Sequence, residues 1–149
     1  LVPHLGTGGM MDAHLAIGTH NLMNQHIFLG GEMGYRGVFV GKDAYSWIPL
    51  QLVLRSPLAG QKLTRHRPLI GANVGYAFST NQRWGGGMCA GIDIGWWYKI
   101  SDRSHFSLSL TAQWQQTRIH ITETIHQSDY DNFVGCNIVG IGLKMSIQF

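Results

Sequence analysis

Six charged residues stand singly among glycines and small polar residues, at positions where the chain alternates: Glu32, Arg36, Arg55, Asp93, Lys99 and Lys144. Carboxylates and cations on one enclosed face can do two things. They can pair into a hydrogen-bonded plug, because a buried charge needs a partner, or they can line a narrow polar path for ions. A second group, His126, Ser128 and Asp129, brings a base, a hydroxyl nucleophile and a carboxylate close together in sequence. Such a set becomes catalytic only if the geometry of a triad-like site is met, and this one sits in a polar stretch beside Asp131 and Asn132. His20, His26, His66 and His105 lie near expected turns, and none has the tight H-x-x-x-H spacing of a zinc site. The sequence therefore predicts no metal, no cofactor and no enzyme, since no acid, base and nucleophile fall on neighbouring strand positions.

The elements that must position these residues are strands. The clearest is Val139 to Phe149, reading V-G-I-G-L-K-M-S-I-Q-F. Its odd positions are apolar and its even positions small or polar, and successive strand side chains point to opposite faces. The same alternation runs from Met11 to Gly18, from Ile27 to Phe39, from Ile48 to Arg55, from Ile70 to Ser79, from Met88 to Ile100 and from Phe106 to Gln115. Residues 41–46, 56–67, 80–86, 101–104 and 117–132 read as connections, the last a long polar loop, while residues 1–9 carry no clear signal. Seven alternating segments and no helical period predict one all-β domain over residues 1–149, a closed antiparallel barrel or a sandwich.

Composition bears on which face is inside. Charged residues make up 13% of the chain and glycine numbers 20, against typical values of about 25% charged and about 7% glycine. The scattered net charge of +3 does not form a nucleic-acid footprint. A soluble barrel would turn its large apolar residues inward and its charges outward. Glycines and small polar residues suit instead the narrow interior of a small barrel, with the apolar face meeting lipid. That is the inside-out pattern of a transmembrane β-barrel, whose backbone must close on itself in hydrocarbon.

Placing Phe149 at the periplasmic side sorts the aromatics into two belts. Tyr35, Phe39, Tyr45, Tyr76, Phe78, Trp84 and Trp114 fall in the upper one. Trp96, Tyr98, Phe106 and Phe149 fall in the lower one. Interfacial aromatics are expected at both surfaces of a membrane protein. Cys89 and Cys136 both point inward on strands separated by one strand, and two strand spacings come to about 9.6 Å, too far for a disulfide.

The segments Phe28–Tyr35, Tyr45–Arg55, Pro68–Phe78 and Gly91–Asp102, with the terminal aromatic strand, resemble small outer-membrane β-barrels of the OmpA/OmpX type, closest to the Bacteroidetes-style barrels. The resemblance covers roughly Met10 to the end. It implies an up-and-down transmembrane barrel of eight strands in a bacterial outer membrane with a periplasmic C-terminus. Seven strands are legible, so the eighth is expected upstream or within the first residues. The implied partners are the bilayer and its lipopolysaccharide, the barrel-assembly machinery reading the C-terminal strand, and a larger outer-membrane complex. The implied role is structural, surface-docking or adhesive, with a plugged lumen. Three alternatives remain: a soluble lipocalin-like barrel binding a hydrophobic ligand, a lipid A-modifying enzyme using His126 and Ser128, and a narrow pore.

Overall fold

The computed structural model describes residues 4–22, 27–40, 43–58, 66–80, 84–125 and 128–149, with side chains from position 9 onward except at 20–22, 40, 43, 84, 119–125 and 128–134. All its regular elements are strands: β1 (His4–Leu22), β2 (Ile27–Val40), β3 (Asp43–Pro57), β4 (His66–Ser79), β5 (Trp84–Gly85), β6 (Gly87–Lys99), β7 (His105–Ile125) and β8 (Ser128–Gln148). Each long strand pairs antiparallel with the next long one, and β8 returns to β1. The short β5 continues the β6 ladder along β7 with a one-residue shift at Gly86, Gly85 standing opposite Arg118 and Trp84 opposite Ile119.

The wall therefore holds seven strands rather than the eight expected. An odd number has a geometric consequence. In an up-and-down barrel the first and last strands then run the same way, so closure must be parallel. That is the observed seam, with Met11 opposite Leu143 and Leu15 opposite Ile147. Its lower end is tied by Phe149 N–H donating to Ala16 O at 3.0 Å and Gly18 N–H donating to Phe149 O at 3.2 Å. The lower end of the barrel is the one at which the chain stops; the upper end is where β1 begins.

Two further expectations are corrected. β1 starts at His4, within the stretch that carried no signal. Residues 117–125 and 128–132, expected as part of a loop, are strand: β7 and β8 stay paired up to Ile125 opposite Ser128, a two-stranded ribbon continuing past Trp84–Gly85. The turn at 101–104 is as tight as expected. Ile100 and Ser101 both donate to Ser104 O at 3.0 Å, and Ser101 Oγ accepts from the backbone of Arg103 and Ser104, a turn chemistry serine favours.

The alternation sets the two faces as read. Asp93, Asn73, Gln51 and Lys144 point into the barrel and are buried, while Ile94, Val74, Leu52 and Leu143 point out and are exposed. Inside, the lumen is layered. The upper end is filled by Met10, Val38, Trp47, Ala77, Cys89 and Ile138, with Tyr45 packed against them. The lower end is filled by Ala16, Phe28, Val53, Leu69 and Trp97. The buried charged residues lie between these two apolar layers.

Inward glycines make the space this filling needs. A Cβ on Gly34 would collide with the Ala13 carbonyl oxygen and come within 2.6 Å of the His14 ring. One on Gly71, which stands opposite both Arg55 and Asp93, would press on the Arg55 side chain at 3.0 Å. The outward Gly31 has nothing within 4 Å of its Cβ position. Overpacking an interior costs about 1–3 kcal/mol. Gly34→Ala is accordingly expected to lower the unfolding free energy read by urea titration by at least that amount, and Gly31→Ala to leave it unchanged.

Candidate functional site

The middle of the lumen is a network of charges drawn from five strands. On β1 and β2 the register sets Asp12 directly opposite Arg36, and Arg36 Nε donates to both Asp12 oxygens at 3.0 and 3.1 Å. Its Nη1 donates across the barrel to Gln115 Oε1 at 3.2 Å. Glu32 lies four residues before Arg36 on the same face of β2, and it receives Arg55 Nη2 from β3 and Lys144 Nζ from β8, the latter at 2.6 Å. Lys144 Nζ also reaches Asp93 Oδ2 on β6 at 3.3 Å.

His14 stands between the two acidic centres, its Nδ1 2.7 Å from Glu32 Oε1 and its Nε2 3.5 Å from Asp12 Oδ2. Neutral polar groups finish the set. Thr111 Oγ1 donates to Asp93 Oδ1 at 2.7 Å, Asn73 donates to Asp93 at 3.4 Å, and Gln51 donates to Asn73 Oδ1 at 3.0 Å. Arg55 Nη1 donates to Ser146 Oγ at 3.1 Å.

Three carboxylates, Asp12, Glu32 and Asp93, thus face three cations, Arg36, Arg55 and Lys144, all with side chains at most 1% exposed. Opposite-charge pairing and hydrogen bonding are what permit such burial, because the idealised cost of moving one such ion out of water is of order 20 kcal/mol.

Five of the six expected lumen charges are brought together: Glu32, Arg36, Arg55, Asp93 and Lys144. Lys99 is not. It is the last residue of β6, below the Trp97 layer, with its side chain 43% exposed, and it bonds Asp102 at 2.6 Å across the turn. The reason is height: parity puts Lys99 on the inward side, but the lower rim lets it bend into solvent. Asp12 and His14 complete the network although the sequence reading left them out of it; their signal was the shared parity of Asp12, His14 and Ala16 on β1.

The aromatics expected in two belts differ in burial. Tyr35, Phe39, Tyr76, Phe78 and Trp114 are exposed on the outer face above, and Trp96 and Phe149 below. Tyr98 and Phe106 lie half-buried in a ring row with His66, which meets Tyr98 edge-on at 5.0 Å. Tyr45 belongs to the lumen instead, its ring 6.2 Å from that of Trp47, because it shares the inward parity of that residue. The side chain of Trp84 lies outside the described residues.

Cys89 and Cys136 are not joined in a disulfide. They stand opposite Gln115 and Thr117 of the intervening β7, as the spacing argument requires. His126 and the side chain of Ser128 lie outside the described residues, as do His26 and the side chain of His20. No group of three metal-ligating side chains occurs among the described residues.

Breaking a buried pair by removing one partner costs about 3–5 kcal/mol, because an uncompensated charge is left behind. Lys144→Met is therefore expected to destabilise the barrel by that amount in urea unfolding. The double variant Lys144→Met with Glu32→Gln is expected to recover part of the loss, since it removes one of the two carboxylates that lose the Lys144 ammonium. The exposed pair at the lower turn gives a separate test. The Lys99 ammonium, by hydrogen bond and charge, holds the Asp102 carboxyl below its usual 3.8. A depressed carboxylate pKa contributes stability above the unfolded value that is lost as pH falls through the folded one. Lys99→Met is thus expected to raise the Asp102 titration midpoint toward 3.8, read by carbon-detected NMR of the carboxyl group.

Compared with protein-family models, with curated proteins and with solved structures, the chain has no match.

Proposed function

We propose that this chain is an integral membrane β-barrel of the bacterial outer-membrane kind, C-terminus periplasmic, with a structural or docking role carried by its upper end and no catalytic one. The observation that carries the reading is the outer face. Among the described residues between the two rims, its outward positions hold no Asp, Glu, Lys or Arg, and large apolar side chains such as Leu52, Ile92, Ile94, Leu110 and Ile141 are each more than half exposed. Soluble monomers rarely expose contiguous apolar patches above a few hundred Å². Residues Val139 to Phe149 rise about 33 Å along the strand, or about 25 Å once tilted, which matches the apolar band of a membrane barrel.

The odd wall departs from the even strand number of bacterial single-chain barrels, and the parallel seam accommodates that departure. A lipocalin-like carrier needs the opposite sidedness, with its apolar face around a cavity. A pore needs an open path, and the charged layer here lies between two apolar ones. In this reading the partners are the bilayer, its lipopolysaccharide and the assembly machinery that reads the closing strand.

The test is expression with a signal peptide, isolation of outer membranes, and electrophoresis of boiled and unboiled samples. Membrane recovery with heat-modifiable mobility is the expected result. A monomer that stays in solution without detergent would overturn the reading.

A further inference from the structure

Outside the lumen, charge is unevenly divided between the two ends of the barrel. At the lower end β3 hands over to β4 and β6 to β7. By sequence, those two connections and their flanks hold Lys62, Arg65, Arg67, Lys99 and Arg103 against one acidic residue, Asp102. The β1–β2 connection at the same end, residues 23–26, holds no Asp, Glu, Lys or Arg. The upper end is the reverse, with Asp43, Glu123, Asp129 and Asp131 outnumbering Lys42, Arg83 and Arg118. The basic arc thus belongs to four neighbouring strands, β3, β4, β6 and β7, and to no others. Lys62 and Arg65 lie outside the described residues. Among the described ones, Asp102 is taken by Lys99 at 2.6 Å, while Arg67 is half-buried and Arg103 exposed, neither with a carboxylate partner.

The surroundings of this arc indicate what it meets. His66, Tyr98 and Phe106 stand at successive register positions on β4, β6 and β7, an outward row at the foot of the apolar face. Lys99 follows Tyr98 in the chain, about 3.4 Å lower along the strand, and Arg67 adjoins His66. Large apolar side chains stay exposed at this level too: Leu58 is 59% and Ile100 62% exposed. A dissolved polyanion offers such side chains nothing. A phospholipid serves both kinds of residue, acyl chain against Leu58 and Ile100 and phosphate against the cations, at the height that interfacial aromatics mark.

Resting on the membrane reading above, we infer that the lower rim from β3 to β7 is a docking face for anionic phospholipid headgroups of the periplasmic leaflet. Their chemistry is that of phosphatidylglycerol, a phosphodiester without a compensating ammonium. Basic residues beside a membrane attract such lipids, and the attraction fades within a Debye length. A zwitterionic headgroup gains less, because its own ammonium is repelled by the same cations.

The test refolds the full chain into phosphatidylcholine vesicles carrying a trace of phosphatidylglycerol or phosphatidylcholine spin-labelled on the acyl chain. Electron paramagnetic resonance reads the fraction of each label immobilised against the barrel. The expected result at low salt is an association with phosphatidylglycerol about threefold or more stronger than with phosphatidylcholine. The preference should drop by at least half in the double variant Arg67→Gln with Arg103→Gln. It should vanish in about 1 M salt, where the Debye length is about 3 Å. Arg118→Gln, which removes a charge from the upper end, should leave it unchanged. Arg103 lies in an exposed turn, so Arg103→Gln and the salt series carry the test should the double variant fail to fold.

Equal immobilisation of both lipids, or a preference that survives the lower variants or is lost equally in Arg118→Gln, overturns the docking face while leaving the barrel in the membrane. Binding of soluble polyphosphate without any lipid preference overturns it likewise and assigns the rim to a dissolved polyanion. No immobilised lipid of either kind, with the protein recovered in the aqueous phase, overturns the docking face and the membrane reading together.

Discussion

Lys144 is the pivot of this barrel. Its ammonium holds Glu32 from β2 and Asp93 from β6 at once, and neither strand is a neighbour of β8 in the wall. Backbone pairing joins each strand only to the next. The lumen salt bridges act across the diameter, so they fix the cross-section as well as the sequence of strands. Because the charges are enclosed above and below by apolar layers, water cannot substitute for a missing partner. Glycines at 34 and 71, the register that opposes Asp12 to Arg36, and the polar residues of β7 and β8 all follow from the need to satisfy that dry layer.

The two faces of the wall answer different physical demands with one alternating pattern. Inward positions trade volume: Trp47 and Trp97 close the ends, and glycines open room for arginine side chains between them. Outward positions vary little, being apolar nearly throughout, and their shape is set by residue size alone.

Much of this was legible in the sequence. Alternation gave each long strand and its facing, because a period of two leaves no freedom about which side a residue takes. Height along the barrel axis was not legible. Lys99 and Lys144 share a parity, and only their positions relative to the apolar layers separate a rim residue from a buried one. Tyr45 was assigned outward for the same lack: aromatic type suggested a belt, while its parity with Trp47 placed it inside. The ribbon of β7 and β8 escaped because polar residues read as loop, yet pairing satisfies its backbone whatever its side chains. The strand count was legible as seven; the expectation of eight came from resemblance, and seven closes by making one pair parallel.

That parallel pair has a consequence for how the chain reaches its fold. Every other contact in the wall joins strands that follow one another, so each pairing closes a short loop. The seam joins Met11 to Leu143, nearly the whole chain apart. Loop-closure entropy grows with length and non-local pairings slow folding, and parallel pairing is slightly weaker per residue than antiparallel. The meander of hairpins therefore forms first, as an open sheet, and the seam zips last. The rate of becoming a barrel is the rate at which the two ends of this chain find each other.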